Sequence, residues 1–292
     1  MIEAWQLKQL QSLSLRAKVE RSKRKIREAY SHFEGGVYVS LSGRDSAVML
    51  DLVREQYPDV PAVYCDTGLE YPEVREYIKS IENVTWLRPK MTFKETIKRY
   101  GFPVVSKEVS QKINEYRNTK SEKLRNKRWN GDDNKYKSGK IPVKWRPLCS
   151  APFSVGHKCC DVMKKRPAHK YEKETGRSAF IGTMASDSKF RRQSYLRNTC
   201  NAFNLKRPHS TPLSIWSHQN VIDYVEQNEI AIPSCYPATD HTGCMFCMFG
   251  VHLEPEPNRF QRMRITHPKQ YKYCMEKLGL KEVLGFIGVN YE

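Results

Sequence analysis

The chain has 292 residues and 39% hydrophobic side chains, enough to bury the core of one large or two small domains, which excludes a disordered polypeptide. Its 50 Lys and Arg outnumber 32 Asp and Glu, and the resulting net charge of +18 favours polyanionic partners such as nucleic acid or nucleotides. The first thirty residues lack a signal-peptide pattern and no apolar run approaches the roughly 18 residues of a membrane span, so we expect a cytoplasmic protein without a membrane partner.

The first predicted element is an amphipathic helix within residues 5–33, where apolar residues recur at helical spacing. Its polar face is basic, because residues 8–28 hold eight Lys and Arg against two Glu, a local charge of +6. We therefore expect residues 1–33 to form a basic N-terminal helical arm.

Strands and helices alternate in the next part of the chain. The β-branched run Val37–Leu41 predicts a strand, the turn Ser42-Gly43 follows it, and a helix begins at Asp45. The same order predicts strands at 61–65, 84–87 and 179–183, and helices at 71–81, 93–100 and 217–228. This alternation implies a parallel sheet with right-handed crossovers, in a domain expected to span residues 34–232.

Two segments depart from this alternation. Residues 107–146 hold thirteen Lys and Arg against five Asp and Glu, a local charge of +8, and residues 119–140 almost lack aliphatic side chains. They are predicted to form an exposed basic insertion or loop. Residues 233–292 are rich in Cys, Pro and aromatics and are expected to be a separate Cys-rich segment that ends in a helix at about 271–286.

The loop Ser42-Gly43-Arg44-Asp45-Ser46 lies between a predicted strand and helix, where open α/β sheets bind ligands. Amides at a helix start, close approach at Gly43, and hydroxyl and guanidinium donors suit a phosphate group. Asp45 is expected to cap the helix or to help hold Mg²⁺. A plain connecting loop is the alternative interpretation.

Two further polar segments are predicted at the same edge of the sheet. Asp66-Thr67-Gly68 ends the second strand and would flank one crevice with the first loop, although these residue types also suit an ordinary Asx-type turn. Residues 186–192 follow the strand at 179–183 and would supply cations, Arg191 among them, for a leaving pyrophosphate. A solvated basic turn is the alternative for that segment.

Nine cysteines, an odd number with uneven spacing, argue against a secreted disulfide framework and for metal ligation or thiol chemistry. The adjacent Cys159-Cys160 and the pair Cys244-x-x-Cys247 supply four thiolates, the number that a [4Fe–4S] cluster or a tetrahedral zinc ion requires. Adjacent cysteines at a helix start reach different irons of a cluster more readily than one zinc ion. The cluster is therefore favoured, zinc and no metal stay as alternatives, and Cys235 is an alternative ligand.

Four motifs together resemble the phosphoadenosine phosphosulfate (PAPS) reductase family of PP-loop adenine-nucleotide α-hydrolases. They are the Ser-Gly-x-Asp-Ser loop at 42–46, the run Cys-Asp-Thr-Gly-Leu-Glu-Tyr-Pro-Glu at 65–73, the run Pro-Leu-Ser-Ile-Trp-Ser at 212–217, and the paired cysteines. The cysteine pattern is similar to that of the iron–sulfur branch of the family, which includes adenylylsulfate reductases. The likeness spans about residues 34–250 and implies a Rossmann-like parallel sheet of about five strands flanked by helices.

The resemblance also implies a set of ligands. ATP, or an adenylylated sulfonucleotide, would bind with Mg²⁺ at Ser42, Gly43, Arg44, Asp45, Ser46, Asp66, Thr67 and Gly68. Catalysis would involve Asp45, Arg44 and Arg191, while Cys159, Cys160, Cys244 and Cys247 would hold the [4Fe–4S] cluster.

Two departures from the family pattern bear on the activity. The usual Ser-Gly-Gly-Lys-Asp-Ser loop is one residue longer and has Lys where this chain has Arg44. Sulfonucleotide reductases also use a C-terminal cysteine in a Glu-Cys-Gly-Leu/Ile-His context, whereas this chain offers Cys274 within Tyr-Cys-Met-Glu-Lys-Leu.

Three hypotheses follow. The first is an ATP pyrophosphatase that adenylylates DNA or tRNA for sulfur insertion, like the iron–sulfur relatives of DNA phosphorothioation systems, with a sulfur donor such as a cysteine desulfurase as a further partner. The second is an adenylylsulfate or PAPS reductase that releases sulfite and needs Cys274 on a mobile tail. The third is an inactive nucleic-acid-binding relative, motivated by the shortened loop.

Overall fold

The β-branched runs of the sequence form the centre of a six-stranded sheet in the computed structural model, which describes residues 2–132, 138–236 and 242–292. The strands are β1 (Val37–Leu41), β2 (Ala62–Cys65), β3 (Val84–Leu87), β4 (Val104–Val105), β5 (Ser178–Ile181), β6 (Asn201–Ala202), β7 (His209–Ser210) and β8 (Met248–Phe249). The sheet has the order β3-β2-β1-β5-β7-β6, and all its neighbours are parallel except β6 and β7. The expected α/β fold with a parallel sheet is confirmed.

The helices occupy most of the intervening segments. They are α1 (Ala4–Gln11), α2 (Leu15–His32), α3 (Arg44–Arg54), α4 (Pro72–Lys79), α5 (Phe93–Tyr100), α6 (Lys107–Asn118), α7 (Glu122–Asn130), α8 (Arg166–Thr175), α9 (Lys189–Asn198), α10 (His218–Gln227), α11 (Arg259–Thr266), α12 (Pro268–Lys272) and α13 (Leu280–Phe286). Within the described residues, none of them combines the length and the apolar character that crossing a bilayer demands.

The chain divides into two units that differ from the domains expected from sequence. The first contains Met1–Asp66, Glu70–Arg88 and Pro167–Thr242, and the second contains Thr67–Leu69, Pro89–Arg166 and Gly243–Glu292. The six-stranded sheet belongs to the first unit, and the parallel pair β4-β8 belongs to the second. Residues 89–166 therefore share a unit with the C-terminal segment, because β4 and β8 pair through Val104 and Met248.

The N-terminal segment consists of two helices that pack into the first unit, where a single helical arm was expected. The break comes at Ser14, whose hydroxyl caps α2 by accepting a hydrogen bond from the amide of Ala17. Ile26 of α2 is fully buried in the core of the unit. Lys18 is also buried, its Nζ donates to Asn220 Oδ1 at 2.6 Å, and desolvation lowers the pKa of its ammonium group. Part of the N-terminal positive charge is thus used inside the fold.

The segment predicted to be an exposed insertion or loop instead contains two helices of the second unit. Ser106 and Ser121 cap α6 and α7 through their hydroxyls, and α6 buries Val109 and Ile113. The helix α7 buries no side chain, which agrees with a sequence in which Leu124 is the single aliphatic residue. The charge composition of this segment did not indicate that one face of α6 is buried. Residues 133–137 of this segment lie outside the described residues.

Candidate functional site

The first candidate site lies at the point where the order of the sheet reverses. From β1 the chain builds outward through β2 to β3, and it later returns to pair β5 with the other side of β1. Open α/β sheets bind ligands outside the carboxyl ends of the strands at such a point. The loop after β1 is Ser42–Ser46, and the loop after β5 begins at Gly182.

The loop after β1 is a tight turn held by its own serine. The amide of Ser42 donates to Ser46 Oγ at 2.7 Å, and Ser46 Oγ donates to the carbonyl of Gly43 at 2.7 Å. The helix α3 begins at Arg44, so the predicted helix start at Asp45 falls one residue late. Asp45 lies in the first turn of α3, the position where a carboxylate faces the positive end of the helix dipole.

A glycine that the sequence analysis did not single out brings the two loops together. A Cβ atom placed on Gly182 would lie 2.7 Å from the carbonyl oxygen of Asp45 and 3.1 Å from the Cα of Ser46. Both neighbours are backbone atoms, so any side chain at this position would displace the loop after β1. The contact therefore couples the shape of the 42–46 loop to the end of β5.

Arg44 is buried, with only 8% of its surface exposed, and two distant residues hold its side chain. Its Nη2 lies 2.7 Å from His218 Nε2, and its guanidinium lies over the ring of Tyr236 at 4.6 Å from the centroid. Among the described residues, the buried Nε of Arg44 has no hydrogen-bond partner. A fixed guanidinium with a spare donor is suited to an anion.

Tyr236 also contacts the backbone of the same loop. Its hydroxyl accepts a hydrogen bond from the amide of Arg44 at 3.2 Å and lies 2.7 Å from Thr242 Oγ1. A Cβ on Gly43 would overlap that threonine hydroxyl and would approach the Tyr236 hydroxyl to 2.8 Å. Gly43 thus allows other groups to approach the backbone of the loop closely. The loop motif predicts such an approach by a phosphate, and in the structure the side chains of Tyr236 and Thr242 make it.

The remaining predicted nucleotide-binding residues have the following environments. Asp66, directly after β2, is 6% exposed, and its Oδ2 accepts from Arg75 Nη2 at 3.0 Å and lies 3.9 Å from Arg88 Nε. Its carboxylate therefore has two cationic partners. Thr67 and Gly68 belong to the second unit, where Thr67 Oγ1 accepts from the amide of Leu69 at 3.2 Å and Gly68 has a φ of +74°.

Arg191, the predicted third rim cation, lies in α9. The hydroxyl of Ser188 caps this helix by accepting from the amide of Arg191 at 3.2 Å. The guanidinium of Arg191 pairs with the carboxylate of Asp187, and about half of its side chain is exposed. The segment predicted as a polar rim is therefore a short turn followed by a helix with an exposed, basic first turn.

The four predicted cluster cysteines lie in one neighbourhood of the second unit. Burial raises the pKa of the Cys159 thiol, and the nearby thiols of Cys160, Cys244 and Cys247 raise it further. Burial also raises the pKa of Cys247, whereas the Phe249 amide, which hydrogen-bonds its sulfur, and the cation of Arg259 act in the opposite direction. Cys159 and Cys160 start a helical segment, the arrangement that lets adjacent thiols converge.

The chemistry of this donor set fits an iron–sulfur cluster. Four thiols are the usual ligands of a [4Fe–4S] cluster, and Lys164 and Arg259 lie close enough to Cys247 to favour its thiolate. Across residues 2–132, 138–236 and 242–292, no three His, Cys, Asp or Glu side chains converge tightly enough to hold a single metal ion. Cys235, the alternative ligand, is a buried residue of the first unit.

The sheet order and the serine–glycine loop after β1 define a Rossmann-like α/β protein with a candidate ligand loop at its switch point. The family model of the phosphoadenosine phosphosulfate reductase domain matches residues 36–126 and 84–249, which together cover more than half of the chain. The chain belongs to this family, as its motifs suggested, and members of the family are enzymes.

Two curated relatives share shorter stretches with the chain. A phosphoadenosine 5'-phosphosulfate reductase of Photorhabdus laumondii is 32% identical over 73 residues, which are 25% of this chain and 30% of that protein. An adenosine 5'-phosphosulfate reductase of Bacillus velezensis is 27% identical over 93 residues, which are 30% of this chain and 40% of that protein. The matched stretches thus span less than half of either relative.

One solved structure that aligns with this chain is a PAPS reductase of Candida auris in a phosphate complex. It aligns with 80% of this chain and 90% of its own, at 15% sequence identity and a TM-score of 0.40.

Proposed function

We propose that the protein is an ATP pyrophosphatase that adenylylates a nucleic acid, DNA or tRNA, for sulfur insertion. An oxygen of the acceptor would attack the α-phosphorus of ATP, the bond to the bridging oxygen would break, and pyrophosphate would leave. A sulfur donor would then replace the adenylylated oxygen and release AMP. The observation that carries the proposal is the switch-point loop with its buried Arg44, whose Nε has no partner among the described residues.

The chain's own residues account for the binding of the phosphates. Ser46 holds the 42–46 turn through its hydroxyl, and Gly182 keeps that turn against the end of β5. His218 and Tyr236 fix the guanidinium of Arg44, so it can meet the charge that develops on the leaving group without reorganising. Asp45 would help to hold Mg²⁺, and Arg191 would supply a second cation. A [4Fe–4S] cluster on the four cysteines would order the C-terminal residues or present a sulfur atom.

The test is an ATP–pyrophosphate exchange assay on anaerobically purified protein, with and without DNA and tRNA. We expect exchange that depends on one of the two nucleic acids, together with AMP formation when a sulfide donor is added. Absence of ATP turnover and pyrophosphate release under every condition, with nucleic-acid binding retained, would favour the inactive relative. Release of sulfite from adenylylsulfate or PAPS would instead favour a reductase.

The basic segment of the second unit offers cations for the nucleic acid. Lys120 and Lys123 are exposed and have no ion-pair partner within the described residues. In contrast, Lys127 Nζ lies 2.8 Å from an oxygen of Asp132, and Arg128 lies 2.6 Å from Glu115. Fewer cations of this segment are thus available to a nucleic acid than the number of Lys and Arg in its sequence suggests.

We expect the double substitution of Lys120 and Lys123 by Ala to weaken nucleic-acid binding about three- to tenfold near 0.1 M salt and to reduce the salt slope by about one to two. The reason is that each lysine which neutralises a phosphate releases counterions on binding. Fluorescence anisotropy titrations at several salt concentrations measure both quantities. Lys281→Ala removes an exposed lysine of the same unit outside the basic segment and serves as the control. Unchanged affinity in the double variant would show that these charges are only solvated surface.

A reductase is the second candidate, because both curated relatives carry reductase names. That function requires a cysteine nucleophile, and Cys274 was the available residue. Cys274 is fully buried in the second unit, in a short π-helical turn between α12 and α13. Its thiol donates to the carbonyl of Tyr271 at 3.2 Å, and burial raises its pKa to about 12. These features weigh against a nucleophile on a mobile tail.

We expect Cys274 in the native protein to resist alkylation at pH 8, because a thiol with a pKa of about 12 has a thiolate fraction of only about one in ten thousand at that pH. Since the pKa is raised, reactivity should increase only as the pH approaches 12. Mass-spectrometric mapping of iodoacetamide adducts on native and urea-unfolded protein measures this difference. Rapid native labelling of Cys274 would reopen the reductase assignment.

A further inference from the structure

A small pocket that none of the predicted site residues except Arg191 lines is present in the first unit. It has a volume of about 190 Å³ and is bounded by the end of β5, the helix α9 and the strands β6 and β7. This volume equals roughly six water molecules at about 30 Å³ each. It is well below the roughly 300–1,000 Å³ of sites for larger ligands. A single planar ring system fits this pocket, and a whole nucleoside triphosphate does not.

The lining of this pocket, which we call the α9 pocket, combines an apolar side with hydrogen-bonding groups. Ile181 and Ala202 contribute apolar surface, and Ser194, Asn198 and Thr199 contribute polar side chains. Within the described residues, those three polar side chains make no hydrogen bond. An amide that offers both a donor and an acceptor, beside hydroxyl groups, matches the edge of a nucleobase.

The backbone at the edge of the α9 pocket is strained. Thr199 has φ and ψ angles of 57° and −152°, a conformation that β-branched residues rarely adopt. It follows directly on α9, so the strain places its side chain at the wall of the pocket. Such strain is concentrated at ligand-binding positions of proteins.

The first turn of α9 carries cations and an aromatic ring, and of these residues Arg191 alone lines the pocket. Lys189, Arg191 and Arg192 are exposed, and Phe190 exposes 74% of its surface. Phe190 lies four residues before Ser194 and therefore one turn away on the same face of the helix. An exposed ring among cations is typical of surfaces that bind single-stranded nucleic acid by stacking and phosphate contacts.

The α9 pocket and the 42–46 loop both border the residues that follow β5. Ile181 and Thr183 line the pocket, and Gly182 between them packs against the carbonyl of Asp45. The residues after β5 thus border both the pocket and the loop at which the proposed adenylylation would occur.

We propose that the α9 pocket binds one nucleobase of a single-stranded segment of the acceptor nucleic acid, with Phe190 stacking on a neighbouring base. The inference deepens the proposed function, on which it rests, by placing the acceptor strand on α9. The polar groups that line the pocket match a nucleobase, which either a nucleic-acid strand or a free nucleoside would supply. The exposed cations and Phe190 favour the nucleic-acid strand as the source of this nucleobase.

The test uses single-stranded DNA and RNA oligonucleotides that carry 2-aminopurine, with binding followed by anisotropy and base environment by fluorescence. Ser194→Phe fills the pocket from an exposed helical position, and we expect it to weaken binding about tenfold and to remove the fluorescence change. Phe190→Ala and Asn198→Ala should each weaken binding several-fold. Gln193→Phe places the same ring on the next residue, which is exposed and does not line the pocket, and it should bind like the wild type.

The outcomes distinguish a failure of the α9 pocket assignment from a failure of nucleotide binding at the 42–46 loop. Wild-type oligonucleotide affinity in Ser194→Phe and Asn198→Ala would overturn the pocket assignment. Competition by free nucleosides at concentrations similar to those of the oligonucleotide would overturn the assignment to a strand. ATP binding is measured in parallel on the wild-type protein, and its absence would count against the proposed function while the oligonucleotide result decides the pocket.

Discussion

Replacing Gly182 by Ala should abolish measurable ATP binding, with at least a hundredfold loss of affinity, and should lower the free energy of unfolding by about 1–3 kcal/mol. The added Cβ would lie 2.7 Å from the carbonyl oxygen of Asp45, and that backbone cannot move away without opening the 42–46 turn. Isothermal titration calorimetry with Mg-ATP and urea denaturation measure the two effects.

Gly285→Ala is the matched control, because a Cβ on Gly285 would meet no atom within 4 Å. This control should keep wild-type ATP affinity. If Gly182→Ala binds ATP normally, the contact between the end of β5 and the 42–46 loop does not matter for nucleotide binding. If it merely fails to fold, Gly43→Ala provides a second test, since its new Cβ meets side-chain hydroxyls of Tyr236 and Thr242 and disturbs the loop locally.

The substitution of Cys159 or Cys247 by Ala should eliminate the proposed iron–sulfur cluster. We expect iron and acid-labile sulfide to fall from about four of each per chain to below about one, with loss of the brown absorbance. In the proposed assignment Cys159, Cys160, Cys244 and Cys247 would be the complete ligand set, so removing one would leave an iron without its protein ligand. Metal analysis and visible absorbance of anaerobically purified protein give the result.

Cys149→Ala is the control for this experiment, since Cys149 is a half-buried cysteine of the same unit outside the set of four. It should retain the full iron content. Colourless wild-type protein that contains one zinc per chain would contradict the cluster, and so would full iron content in Cys159→Ala.

The central strands and the position of the 42–46 loop were predictable from sequence for a clear physical reason. Runs such as Val37–Leu41 and Val84–Leu87 are buried or half-buried and β-branched, and both strands have the predicted bounds. The strands β6 and β7 were missed, because two residues are too few to show any periodicity. The α6 helix was missed because the charge of its segment hides the buried positions Val109 and Ile113. The α7 helix was missed because it buries no side chain and therefore shows no apolar periodicity.

The surroundings of the loop were less predictable. Arg44 was placed in the site from its motif, but its partners His218 and Tyr236 lie more than 170 residues further along the chain. Contacts of that separation leave no local pattern in a single sequence. Gly182 carried one available signal, because it is a glycine inside the strand predicted at 179–183, and such a glycine often marks a close backbone approach.

The pairing of β1 with β5 has a consequence for the order in which the protein acquires structure. Val37 lies opposite Ser178, so these neighbours in the sheet are joined by about 140 residues of chain, whereas β1, β2 and β3 follow one another closely. Closing so long a loop is slow compared with forming local contacts. During synthesis the three early strands can associate while residue 178 is still unmade. The 42–46 turn acquires its supporting contact only when Gly182 arrives, so nucleotide binding is expected to be among the last properties to develop on the folding pathway.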